Sequence, residues 1–185
     1  VEEKPSDQLQ IQGGWGGRIR DQNGNTIGGG FVGTVQLGFN NFSTSKFFKK
    51  KAWNPIPSGD GQKLNLAVQM NGVGWQNYSI SFIEPWLGGK KPNSLGASVG
   101  YTINQSAASG FKMKTINTGL DYGMRLKWPD DFFRAYASVQ YKYYDIQNGR
   151  NAFTAIDFDD AFINIISGRF TVDRTSIDAP IYPRS

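Results

Sequence analysis

The chain has 185 residues, with 20 Lys and Arg against 15 Asp and Glu, for a net charge of +5. It contains neither Cys nor His, which excludes disulfides and thiolate chemistry and removes the commonest general base, metal ligand and physiological-pH switch. Aromatic residues make up 14% and glycine contributes 23 residues, a composition of ordered chains with many bends.

The dominant period is two, the signature of strands. The first strand alternates Leu9, Ile11, Trp15 and Ile19 with Gln8, Gln10, Gln12 and Arg18. The second sets Phe31, Val35, Leu37 and Phe39 against Thr34, Gln36, Gly38 and Asn40. The third sets Leu64, Leu66, Val68 and Met70 against Lys63, Asn65, Gln69 and Asn71. The fourth is YSISFIEPWL, with Tyr78, Ile80 and Phe82 on one side and serines on the other before Glu84-Pro85-Trp86 ends it. The fifth runs from Leu95 to Asn104, the sixth from Leu120 to Trp128, the seventh from Ala135 to Tyr143. The eighth, Phe162 to Val172, is less regular, with only Asn164 interrupting Ile163 to Ile166.

Several of these patterns persist for about nine residues, the length a tilted strand needs to cross hydrocarbon. Strands of soluble sheets run to about 5–6. The non-apolar faces carry Gly, Ser, Thr, Asn and Gln, which suits a wet lumen. Trp75, Tyr78, Trp86, Trp128, Tyr143 and Tyr144 gather near strand ends, where amphipathic rings favour a headgroup level. The fold expected is all-β, a transmembrane antiparallel β-barrel. A soluble β-sandwich binding module, with Trp15, Trp53 or Trp75 as carbohydrate platforms, is the alternative outside membranes.

Between strands, 105–114 and 145–160 read as long polar loops and 128–132 as a tight turn at Pro129. Residues 43–61, STSKFFKKKAWNPIPSGDG, are long and aromatic. A compact segment with a short helix before Trp53 is expected there, at the membrane interface on the side of the Glu84-Pro85-Trp86 turn. The chain opens with neither Met nor an apolar leader segment, so it reads as a mature form or a fragment.

Little here points to covalent chemistry. The clusters GGWGG (13–17), GGG (28–30) and GG (88–89) are not followed by helical periodicity, so they do not build a phosphate loop. They read as weakened or bent strand. Asp157, Asp159 and Asp160 lack the glycine-turned loop of a calcium site. The acids Glu2 and Glu3, or Asp130 and Asp131, are adjacent rather than convergent. No catalytic residue, metal or cofactor is expected. Lys46, Lys49, Lys50 and Lys51 have no accompanying stacking motif for nucleic acid.

The sequence resembles the BamA family of outer-membrane protein assembly factors over most of its length. VEEKPSDQLQIQGGWG is similar to the junction between the last periplasmic POTRA domain and the first barrel strand. GDGQKLNLAVQMNGVGWQNYSISFIEPWLGGKKPNSLGASVGY carries the most specific match, ending in the family's Glu/Asn-Pro-aromatic turn, here Glu84, Pro85 and Trp86. DRTSIDAPIYPRS is similar to the segment before the family's P-x-x-G-S turn. The resemblance implies residues 1–7 as the end of the POTRA region and 8–185 as the first half of the barrel, about eight of roughly sixteen strands. The family's V-R-G-F lumen motif and last strand are not in this sequence, so neither that motif nor any docking site for accessory lipoproteins carries over.

The resemblance further implies a bacterial outer-membrane location and a role in folding and inserting client β-barrels at a lateral gate. The client-pairing edge would be Leu9, Gln10, Ile11, Gln12, Gly13, Gly14, Trp15, Gly16 and Gly17. Its partners would be unfolded outer-membrane clients, accessory subunits and outer-membrane lipid, with no nucleic acid. Gly13, Gly14, Gly16 and Gly17 would weaken the resident pairing, and valine at Gly13 and Gly17 is expected to strengthen it. The competing membrane reading is a self-contained eight-stranded structural or adhesion barrel, which requires the first and eighth strands to pair.

Overall fold

The structure is a computed structural model. It describes residues 7–20, 22, 24, 26–53, 56–89, 93–106, 109–128, 130, 132–151 and 159–174. They form one antiparallel sheet of 8 strands, each bonded to its sequence neighbours. The strands are β1 (Asp7–Arg20), β2 (Thr26–Phe42), β3 (Gln62–Asn71), β4 (Trp75–Glu84), β5 (Ser94–Gln105), β6 (Lys112–Arg125), β7 (Phe133–Gln147) and β8 (Ala161–Arg174). Single 3-10 turns occupy Lys50–Ala52 and Gly149–Asn151. The first of these is the short helical turn expected before Trp53.

The pairing register turns the alternation of each strand into two opposed faces. One rung runs Leu9, Leu37, Leu66, Ile80, Val99, Thr118, Tyr141 and Ile166 across the sheet. The rung beside it, on the other face, runs Gln8, Gly38, Asn65, Ser81, Ser98, Gly119, Gln140 and Ser167. A slip of one residue at any pair would exchange the faces, so the continuity of both rungs supports every register together.

The apolar face has no protein cover. Leu9, Ile11, Ile80, Val99, Leu120, Val139, Ile166 and Phe170 are all exposed. The only buried hydrophobic residues among those described are Phe42, Phe111, Ala135 and Ile146. Monomeric soluble domains rarely leave so broad an apolar surface uncovered, and such a face marks a membrane or protein contact. A sandwich needs a second sheet against this face, and the described residues form one sheet. β1 and β8 are its two edges and do not pair, so the self-contained eight-stranded barrel is not formed among the described residues. No described helix is long and apolar enough to cross a membrane, which says nothing about crossing by strands.

Several expected boundaries differ. β6 begins at Lys112 and ends at Arg125 instead of running from Leu120 to Trp128. Its first half was hidden because its apolar-face positions are Lys112, Lys114, Ile116 and Thr118. What extends it is cross-strand pairing, including Lys114 with Asp145, whose side chains lie 3.6 Å apart. For the same reason β7 continues to Gln147, and the two loops expected at 105–114 and 145–160 shrink to 106–111 and 148–160. At both ends of the sheet the connections vary in length. The 43–61, 85–93 and 126–132 segments share one end with the start of β1, and the short 72–74 turn lies at the other end with 148–160. Pro129, Asp131, Asp157 and the 175–185 tail lie outside the described residues.

Candidate functional site

β1 has a hydrogen-bonded neighbour on one side only, β2. Its pairing is regular from Asp7 opposite Phe39 to Gly16 opposite Gly30, then shifts between Gly16 and Ile19 and again before Arg20. The predicted edge residues Leu9, Gln10, Ile11, Gln12, Gly13, Gly14, Trp15, Gly16 and Gly17 are therefore contiguous on one of the two edges that the sheet of described residues has. Nearly all are exposed, Trp15 at 75%.

The glycines of this edge are not equivalent. Gly13 pairs with Gly33 on the apolar face, between the Ile11–Val35 and Trp15–Phe31 pairs. The Phe31 ring lies over the gap they leave, so a Cβ on Gly13 would meet its Cζ at 2.7 Å. A Cβ on Gly33 would overlap the Gln12 carbonyl oxygen and approach Gly13 Cα to 2.7 Å. An aromatic laid across a glycine pair supplies the packing that the glycines lack. Gly14 and Gly17 have nothing within 4 Å of an added Cβ, and a Cβ on Gly16 would meet Val32 Cγ2 at an ordinary 3.4 Å. Valine at Gly13 would thus displace Phe31 before it strengthened any pairing, which corrects the expectation for that position. Below this region an open groove of about 540 Å³ is lined by Gln12, Thr34, Gln69, Met70 and Trp75 among others.

At the end of the sheet where β1 starts, Glu84, Pro85 and Trp86 form a braced corner. Trp86 N–H donates to Glu84 Oε1 at 2.9 Å, and Gln62 Nε2 donates to Glu84 Oε2 at 2.7 Å. The same Gln62 amide donates to Thr44 Oγ1 and accepts from Thr44 N–H at 2.7 Å. Gln62 is buried. Glu84 therefore ties the β4–β5 turn to the long β2–β3 connection. That connection is closed by a second cluster, in which Ser43 and Ser45 hydroxyls each donate to Asp60 Oδ2 at 2.7 Å. These two hydrogen bonds hold the Asp60 carboxyl below its usual 3.8. Sequence reasoning missed Gln62, Thr44 and Asp60. The only available signal was the polar spacing around the Pro-rich segment, which names no partners.

Two further acids brace the connection after β7. Asp160 Oδ1 accepts from Asn148 N–H at 3.1 Å, and Asp159 lies 3.7 Å from Arg150. Among the described residues no acidic cluster has metal-holding geometry. What the arrangement offers chemically, among the described residues, is two sheet edges, β1 and β8, and an apolar surface.

The family model described as the Omp85 superfamily domain matches residues 58–185, which take in β3 to β8. The chain belongs to the Omp85 superfamily. Among solved structures, this Omp85 chain is similar to BamA from Haemophilus ducreyi lacking POTRA domains 1-3, at 16% identity and a TM-score of 0.47. That likeness covers 98% of this chain and 32% of the other, so the chain spans about a third of that structure's length. No curated protein sequence matches it. The Omp85 match begins at Ser58, so β1 and β2 lie outside it, and the proposed edge rests on its geometry here.

Proposed function

We propose that this chain is the first half of the transmembrane barrel of a BamA-type Omp85 protein, with residues 8–185 in the barrel and 1–7 leading from a periplasmic region. The whole protein inserts client β-barrels into the bacterial outer membrane, and it works with unfolded clients and accessory subunits. β1 is the gate strand on which a client strand is templated, and the barrel is completed by further strands beyond β8.

The observation that carries this reading is a single antiparallel sheet with an uncovered apolar face whose edge strand β1, unlike β8, loses its register at a glycine-rich stretch. In hydrocarbon an unpaired backbone group costs several kcal/mol, so a free edge strongly favours an incoming strand. Backbone hydrogen bonds supply that affinity without reading side-chain identity, which suits many different clients. Gly14 and Gly17 contribute no side-chain packing that would lock β1 to a resident neighbour. Pairing of this kind needs no bond-making, so the reading is not enzymatic.

Proline tests it in the full-length protein. In an antiparallel ladder, adjacent residues direct their N–H groups to opposite sides. Of Gln10→Pro and Ile11→Pro, one removes a donor to β2 and the other a donor to the client. The outward variant should slow client folding in proteoliposomes at unchanged urea stability of the protein itself. Normal rates in both variants would remove β1 from the mechanism.

A further inference from the structure

The β2–β3 connection has a feature that strand templating does not use. Its rings form a continuous path out of the apolar belt. Phe82, on the apolar face, meets Phe42 edge-on at 6.4 Å, and Phe42 meets Phe47 at 6.2 Å. Phe47 then meets both Phe48 and Trp53 at 5.3 Å. Phe42 is buried, whereas Phe48 is 92% exposed and Phe47 and Trp53 are also exposed.

This exposure is held in place. Trp53 Nε1 donates to Phe47 O at 2.9 Å, and Lys46 Nζ donates to Ser58 O at 2.8 Å. The chain turns tightly through Lys49 N–H to Lys46 O at 2.9 Å and Ala52 N–H to Lys49 O at 2.8 Å. Lys49, Lys50 and Lys51 follow Phe48 directly and are exposed. No salt bridge joins them to an acid among the described residues.

We infer that the 43–61 connection is a docking foot for anionic phospholipid: Phe47, Phe48 and Trp53 enter the interface while Lys49, Lys50 and Lys51 engage headgroup phosphates. The inference rests on the membrane reading proposed above, because the rings extend the same belt. Two physical terms select a lipid occupant over a protein groove. Trp53 is favoured at the headgroup level and the exposed Phe47 and Phe48 at the adjoining acyl boundary, and basic side chains beside an anionic surface each add about a fivefold gain in affinity. The foot fixes the depth of the β2–β3 corner and, through Gln62, of the β4–β5 corner as well.

The test uses full-length protein in lipid discs of phosphatidylcholine alone or mixed with phosphatidylglycerol. Amide hydrogen exchange is read over residues 44–53. Exchange should be slower in the anionic discs, and the combined Lys49→Gln, Lys50→Gln, Lys51→Gln variant should return it to the neutral-disc rate. Equal exchange in both discs, or an unchanged anionic-disc rate in the triple variant, overturns the inference. So does protection that arises only when a second protein is added. A fluorophore at Leu120→Cys, on the belt itself, is read in parallel with brominated acyl chains. Quenching there with no lysine effect rejects the foot alone, whereas absence of quenching rejects the membrane reading too.

Discussion

Gln62 and Glu84, at the facing ends of paired strands, share a 2.7 Å hydrogen bond that couples two turns far apart in sequence. A neutral amide donating to a carboxylate contributes about 1.5–3 kcal/mol. Glu84 also holds Trp86 N–H, and Gln62 also holds Thr44. Glu84→Ala and Gln62→Ala should each lower stability by about 2 kcal/mol. The double variant should lose less than the sum, because the two share a bond. Urea unfolding of refolded protein measures all three, and strict additivity would show that the bond does not couple the turns.

The glycine pair at the edge gives a second contrast. Gly33→Ala forces a Cβ into the Gln12 and Gly13 backbone, whereas Gly14→Ala enters open space. The first should separate β1 from β2 and lower stability by about 1–3 kcal/mol. The second should be within about 0.5 kcal/mol of the parent. Equal effects would show that the β1–β2 register is not the one described.

A third prediction concerns acid. The Asp60 carboxyl sits below its usual 3.8 because Ser43 and Ser45 donate to its ionised form. Its folded-state value is lowered, so the stabilisation is fully present above 3.8 and is lost as pH falls through the folded value. Hydrogen exchange at Ser43 and Gly59, whose N–H groups donate to Pro57 O and Asn41 O at 2.9 Å, should quicken at the acid end. Asp60→Asn should abolish that acid dependence. An unchanged acid response in the variant would assign it to another group.

Much of the fold was legible because a strand with one uncovered apolar face must alternate, and the pattern survives in single residues such as Tyr78, Ile80 and Phe82. It failed where the apolar face itself turns polar. Lys112, Lys114 and Thr118 hide half of β6, and only pairing with β7 exposes it. β8 is uneven because Ile163 and Ile165 fall on the polar-face side, opposite Tyr144 and Lys142, while Asn164 falls on the apolar face and accepts from Tyr141 Oη at 2.6 Å. The edge glycines were visible as a cluster. That Phe31 covers Gly13 and leaves Gly14 open depends on a neighbouring strand, which local sequence does not encode.

The two faces also make opposite predictions for charge. Leu120 is exposed near the middle of the apolar belt, and Gln140 sits one rung away on the polar face. Leu120→Arg should cost about 2–4 kcal/mol in vesicles, as expected for a cation at mid-bilayer. Gln140→Arg should change stability by less than about 0.5 kcal/mol. Reversal of the two effects would invert the sheet.

The most direct measurement is disulfide mapping between β1 and a stalled client in the full-length protein. These 185 residues contain no Cys, so with any Cys elsewhere in the full-length protein replaced, single cysteines at Gln8, Gln10 and Gln12 can be paired with cysteines along the client's terminal strand. Strand templating predicts cross-links in one antiparallel register, the client partner moving two residues back for each two forward along β1. Cross-links with no fixed register, or none at β1 while the client is still folded into the membrane, would contradict it.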